Sequence, residues 1–280
     1  MAEVTTLIHK YLRHDKKFPH VWCPGCGNGI LLGSLIRAIG RTNFEKDEIV
    51  VVSGIGCSGR ISVYVDFNTL HTTHGRALTF ATGIKLANPN LHVIVIMGDG
   101  DATAIGGNHF IHAARRNLNL TAIVVNNNIY GMTGGQYSPT TPYGSYATTA
   151  LYGNIEHAFS IAELAVMAGA GMVARGTVYH AVLLDELIEK ALYKRGFSVV
   201  EVISHCHTQF GRRNKMGGAV EMLRRQKESA VHVEKAASMS PEELKDKFTI
   251  GVLVDRDMPI YTQEYRKVRE AAKTALSKTR

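Results

Sequence analysis

Two cysteines flank a proline-glycine turn in VWCPGCGNGIL, residues 21–31, and two more, Cys57 and Cys206, lie far downstream. Together Cys23, Cys26, Cys57 and Cys206 make one complete set of four thiolates. In a reducing compartment, cysteines at short spacing serve more often as metal ligands or catalysts than as disulfides. A four-cysteine zinc knuckle and an iron-sulfur centre need the same softness and ligand count, so spacing alone leaves both open. A second constellation is built from hard oxygen ligands. MGDGDATAIGGNHF (97–110) places Asp99 in a tight glycine turn before a helix, and VVNNNIYGM (124–132) offers Asn127 and the backbone carbonyl of Ile129. Carboxylate, amide and carbonyl oxygens suit Mg²⁺ that keeps phosphate oxygens in its shell. The glycines let the backbone approach a diphosphate, and a helix N-terminus favours negative charge. GDG and NNN could each simply end a strand; paired at this spacing they read as a diphosphate-Mg²⁺ cradle.

Positioning these groups requires a regular scaffold. Short β-branched runs recur at 48–56, 92–100, 120–128, more weakly at 171–178, and at 197–204, several ending in glycine or asparagine. Helix-like stretches lie between them or before them at 30–40, 76–88, 108–117, 160–170 and 180–196. Alternation of this kind predicts an α/β fold, a mostly parallel sheet flanked by helices, with ligands at the carboxyl ends of the strands. Residues 1–211 are expected to form the binding domain. From 212 to 280 the sequence turns charged, and we expect a mostly helical extension rather than a second core. In that extension Ser240-Pro241-Glu242-Glu243 reads as an N-cap, a first-position proline and a capping-box glutamate.

Composition bounds the alternatives. The chain of 280 residues is 45% hydrophobic and 20% charged, which is ordinary for a globular protein able to bury a sizeable core. Its first residues lack the apolar core and cleavage site of a signal peptide, and no apolar run approaches the roughly 20 residues that span a bilayer. A cytoplasmic protein without membrane association is expected. The net charge of +8 suits nucleic acid, an acidic protein or a polyanionic small molecule equally. Cations cluster in GRRNK (211–215) and LRRQK (223–227), yet without the interleaved aromatics of a single-strand stacking platform. Nucleic-acid binding is therefore not expected.

Five motifs, WCPGCG, GIGCSGR, HTTHGRA, GDGD and NNNIYGMTGGQYSPTTP, occur in the order in which they resemble the β subunit of 2-oxoacid:ferredoxin oxidoreductases, most nearly the 2-oxoglutarate type. The resemblance covers about residues 18–215 and implies a thiamine diphosphate-binding fold. It implies that Cys23, Cys26, Cys57 and Cys206 hold a [4Fe-4S] cluster, and that Asp99, Asn127 and Ile129 hold Mg²⁺. Ile55, Gly56, Cys57, Ser58, His74, Gly100, Asp101, Gly131 and Met132 match the cofactor contacts, whereas His71 and Arg76 are weaker matches. Trp22 could shield the cluster or merely fill the core. His205 and His207 could modulate the cluster or be exposed.

What the resemblance leaves off this chain is as informative. The catalytic glutamate is expected on an α subunit that also carries the pyrimidine domain and most 2-oxoacid contacts, so no catalytic residue is assigned here. The implied activity is oxidative decarboxylation of a 2-oxoacid, 2-oxoglutarate to succinyl-CoA being preferred over pyruvate or a broad range. Coenzyme A would take the acyl group and ferredoxin the electrons, in an assembly such as αβ or (αβ)₂. A non-oxidative thiamine diphosphate decarboxylase subunit would not need four thiolates, and an electron-transfer module would not need the cradle.

Overall fold

The computed structural model describes residues 2–15 and 19–278, so Met1, residues 16–18 and the last two residues lie outside the described residues. Through residue 203 the elements are α1 (Ala2–Tyr11), α2 (Gly27–Gly40), β1 (Ile49–Ser53), α3 (Ile61–Tyr64), β2 (Asn68–His71), α4 (Ala77–Ala87), β3 (His92–Gly98), α5 (Gly107–Arg115), β4 (Thr121–Asn126), α6 (Ile161–Met167), β5 (Met172–Thr177), α7 (Ala181–Tyr193) and β6 (Ser198–Ile203). Strands β1, β3, β4 and β6 are adjacent and parallel. They read as near-continuous apolar runs because helices cover both faces. Successive side chains point to opposite faces. Ile94 and Ile96 of β3 pack with Leu31 and Leu35 of α2 and Ile188 of α7, while Val93, Val95 and Met97 pack with Leu78 of α4 and Phe110 of α5. Register then sets the site. Ser53 lies beside Ile96, Gly98 beside Val125 and Asn126 beside Ile203, so the turns after all four strands leave the same edge of the sheet.

The extension continues with α8 (Ala219–Ser229), β7 (Ala230–His232), α9 (Val233–Ala236), α10 (Pro241–Leu244), β8 (Phe248–Asp255) and α11 (Tyr261–Lys278). Helices make up most of it, as expected for residues 212–280, but it also adds two strands that the sequence reading did not include. Strand β8 pairs antiparallel with β5, and the eight-stranded order is β2-β1-β3-β4-β6-β5-β8-β7. The physical reason is the apolar run TIGVLV at 249–254, which covers the otherwise open edge of β5. Asn117 pins the following segment: its amide donates to the carbonyls of Met258 and Pro259 at 3.2 and 3.1 Å, and its oxygen accepts from Phe197 N at 2.7 Å. The expected cap at Ser240 forms, with reciprocal bonds between Ser240 and Glu243. Among the described residues no helix is long and apolar enough to cross a membrane.

One buried cation is unusual. Lys85 of α4 is 3% exposed and its ammonium donates to the carbonyl of Leu91 at 2.5 Å. Burial pushes it down from 10.5 to about 8. Between those values the unfolded chain is protonated and the folded chain is not, so stability rises with pH across that window. Lys85→Met should stabilise the protein at pH 7, on the order of 2 kcal/mol. Its advantage should shrink as pH rises from about 8 to 10.5. Urea unfolding of both proteins across that range checks this.

Candidate functional site

The turn after β3 carries a carboxylate that is expensive to place. Asp99 is 3% exposed, and loss of water pushes its carboxyl up to about 6 despite the hydrogen bonds that oppose the shift. Ser138 and Thr140 hydroxyls both donate to its Oδ2 at 2.5 Å. Two residues on, Asp101 Oδ1 accepts from Gly75 N at 2.7 Å and bonds His74 Nδ1. Asp101 Oδ2 is buried without a hydrogen-bond partner, which leaves a carboxylate oxygen at the wall suited to a cation or a donor. The turn after β4 is fixed from below. Asn126 donates to buried Glu201 of β6 at 2.9 Å, and Glu201 pairs with Arg175 of β5 at 2.7 Å. Above it, Asn127 Oδ1 accepts from Ile129 N at 3.3 Å.

These turns enclose a cavity of about 200 Å³. Its wall includes every residue expected to contact Mg²⁺ or the cofactor: Ile55, Gly56, Cys57, Ser58, His74, Asp99, Gly100, Asp101, Asn127, Ile129, Gly131 and Met132. At Gly56, with φ +109°, an added β-carbon would meet nothing within 4 Å, so the loop leaves open space for a bound group. Tyr130 closes one side, its hydroxyl donating to Gly100 O at 3.1 Å. Sequence reasoning gave no role to Tyr130, Ser138 or Thr140, although all lie in NNNIYGMTGGQYSPTTP. His71 and Arg76 do not line this wall. His71 bonds Ser53 and Arg60, and Arg76 donates to Ile105 O at 3.1 Å.

All four cysteines, none in a disulfide, line a second cavity of about 340 Å³ that shares Cys57, Asn127, Gly131 and Met132 with the first. Thr208 Oγ1 stands 3.7 Å from both Cys23 Sγ and Cys206 Sγ. On the shared wall, a β-carbon at Gly131 would lie 3.3 Å from Cys206 Sγ and 3.8 Å from Cys57 Sγ. The thiols thus surround a space instead of closing on one point, and among the described residues no group of three or more His, Cys, Asp or Glu is placed to hold a single ion. Burial pushes Cys57 up to about 12 and also raises Cys26, with the neighbouring thiols adding repulsion. Trp22 is buried here and donates its indole N–H to Cys57 O at 2.7 Å, so it braces the loop as well as filling space. His205 bonds Gly25 O at 2.8 Å and ties the Cys206 turn to the Cys23–Cys26 turn, and His207 also lines the cavity. Cys26 occupies the N-cap position of α2 without a side-chain capping bond, and Asn28 Nδ2 donates to its sulfur at 3.5 Å.

Fold and cavity together define a thiamine diphosphate-binding chain. A family model for the thiamine pyrophosphate enzyme C-terminal TPP binding domain matches residues 54–202. The 2-oxoglutarate synthase subunit KorB of Methanocaldococcus jannaschii is 49% identical over 265 residues, 95% of this chain and 98% of its own. KorB of Archaeoglobus fulgidus is 62% identical over 198 residues, covering 71% and 73%. The solved 2-oxoglutarate:ferredoxin oxidoreductase of Magnetococcus marinus, with 2-oxoglutarate, coenzyme A and succinyl-CoA bound, superimposes with a TM-score of 0.85 at 32% identity, covering 95% of this chain and 90% of that one. The chain belongs to the family of 2-oxoglutarate synthase KorB subunits.

The hydroxyls of Ser138 and Thr140 offset the burial of Asp99. Thr140→Val keeps the shape and removes one of the two side-chain donors. It should lower unfolding free energy at pH 7 by about 1–3 kcal/mol. Unfolding that matches wild type would show that the bond contributes nothing.

Proposed function

We propose that this chain is the β subunit of a cytoplasmic oxidoreductase that converts 2-oxoglutarate and coenzyme A to succinyl-CoA and carbon dioxide, passing the electrons to ferredoxin. The observation that carries the reading is the wall shared by the cradle cavity and the four-cysteine cavity, where the Cys57 loop borders both. A non-oxidative decarboxylase has no use for the second cavity, nor a simple electron carrier for the first. The names of the relatives favour 2-oxoglutarate over other 2-oxoacids.

In this reading Asp99, Asn127 and the Ile129 carbonyl hold Mg²⁺, whose charge offsets the burial of Asp99. Cys23, Cys26, Cys57 and Cys206 hold a [4Fe-4S] cluster; their spread around a cavity supports this over zinc, whose thiolate ligands sit about 2.3 Å from one ion. Bound thiamine diphosphate supplies the carbon nucleophile and electron sink for decarboxylation, and the cluster a one-electron relay. The chain's own residues do the positioning. Asp101 holds the proton of His74 on Nδ1 and so orients the ring on the cavity wall. Ile55, Val125 and Met132 keep part of that wall apolar, which limits water. None of the described residues lining the cavity is a glutamate, which supports an α partner contributing one in an αβ or (αβ)₂ assembly.

Three outcomes test this. Asp99→Asn should remain folded and lose Mg²⁺-dependent binding of thiamine diphosphate by at least about tenfold; calorimetric titration of the αβ complex reads it, and wild-type affinity would remove Asp99 from the metal site. Cys206→Ser should leave a folded chain with less iron and an altered or oxygen-labile EPR signal, because serine lacks the soft thiolate. The isolated chain should reduce no viologen dye with 2-oxoglutarate and coenzyme A, and adding the α subunit should restore turnover. Positioning of groups from the second domain is worth up to ~7 kcal/mol or more of barrier, so robust activity from the chain alone would defeat the half-site reading.

A further inference from the structure

The basic runs GRRNK and LRRQK remain to be accounted for. Between Arg212 and Lys227 six cationic side chains accompany one carboxylate, Glu221, so these residues supply an excess of five of the chain's eight net positive charges. The segment leaves and returns to the cysteine cavity. It begins just after Thr208, the hydroxyl between Cys23 and Cys206. It comes back where α8 starts, with Ala219 Cβ only 2.7 Å from where a β-carbon on Gly25 would stand. Cys23 is the exposed member of the four cysteines. On the two segments that meet here, Val21 is 62% exposed and Val220 is 55% exposed. Val220, Arg224 and Lys227 follow one side of α8 at helical spacing, and Arg212 is also exposed.

We propose that this surface, with Val21, Cys23 and Val220 at its centre and Arg212, Arg224 and Lys227 at its rim, docks an acidic one-electron carrier of the ferredoxin class. The inference rests on the function proposed above and locates its electron exit. A small apolar centre with a charged rim suits a transient redox encounter, in which the rim steers and the centre brings the two redox groups close. A cluster held by the four thiolates would give up one electron and be oxidised, and the oxidised carrier would take it and be reduced, with no bond or proton moving. Charge complementarity with an acidic protein fits better than nucleic acid, because aromatics are not interleaved with these cations.

The test uses the loaded αβ complex as wild type, as the pair Arg224→Gln with Lys227→Gln, and as Arg212→Gln. Titration with an oxidised acidic ferredoxin at about 20 mM and about 300 mM salt measures affinity without turnover. Each variant should raise the ferredoxin Kd and KM at low salt, the pair by at least about fivefold, and the difference should shrink at high salt. Viologen turnover and the KM for coenzyme A should stay within about twofold of wild type. Unchanged ferredoxin Kd and salt dependence in both variants would overturn the proposal. So would a shift confined to coenzyme A, or to a single-stranded oligonucleotide. Absence of viologen turnover in the wild-type complex would count against the proposed function, while the titration still decides the docking surface.

Discussion

Crowding at the carboxyl ends of four adjacent strands governs this molecule. The turns after β1, β3, β4 and β6 converge on one edge of the sheet, and they fit only where side chains are missing or buried polar groups are matched. A β-carbon on Gly54 would fall 1.6 Å from Asp101 Oδ2, and one on Gly100 would fall 2.2 Å from the Tyr130 ring. Asp99 and Asp101 are carboxylates 3% and 2% exposed at the centre of that edge. Burying such groups is unfavourable unless donors or cations meet them. Much of the local structure answers this need: the loop bearing Ser138 and Thr140 folds back onto Asp99, and Gly75 with His74 comes to Asp101.

The same crowding brings the two cavities together. Cys57 follows β1, Cys206 follows β6, and Gly131 lies close to both sulfurs on the wall that the two cavities share. Under the proposed function, electron donor and acceptor are neighbours because the strand order β1-β3-β4-β6 places their loops side by side. The underlying network of Asn126, Glu201 and Arg175 fixes that arrangement from beneath, spanning three strands.

Residue types with strong chemistry were legible in the sequence. Four thiols, the GDG turn and the NNN turn announce themselves because few other roles require those side chains at those spacings. Strands β1, β3, β4 and β6, and more weakly β5, were legible as short β-branched runs, and the residues expected to contact cofactor or Mg²⁺ line one cavity. The remainder was hidden for physical reasons. Asn68–His71 is a short polar edge strand without periodicity, and it forms because β1 offers it a partner. The apolar run of β8 was masked by its charged surroundings. Ser138 and Thr140 are common residue types whose value arises only when the chain folds back 39 and 41 positions to Asp99.

Strand β8 also carries a consequence for biosynthesis. Because it pairs antiparallel with β5 from far downstream, the β5 edge stays open while the intervening residues are made. Seven of the eight strands precede it, and six of them, β1 to β6, form a sheet whose β5 edge has no partner until β8 is made. An open strand edge is a template for pairing with another chain. Synthesis of residues 248–255 is therefore itself a folding event, and a chain released before residue 248 lacks the strand that seals this edge.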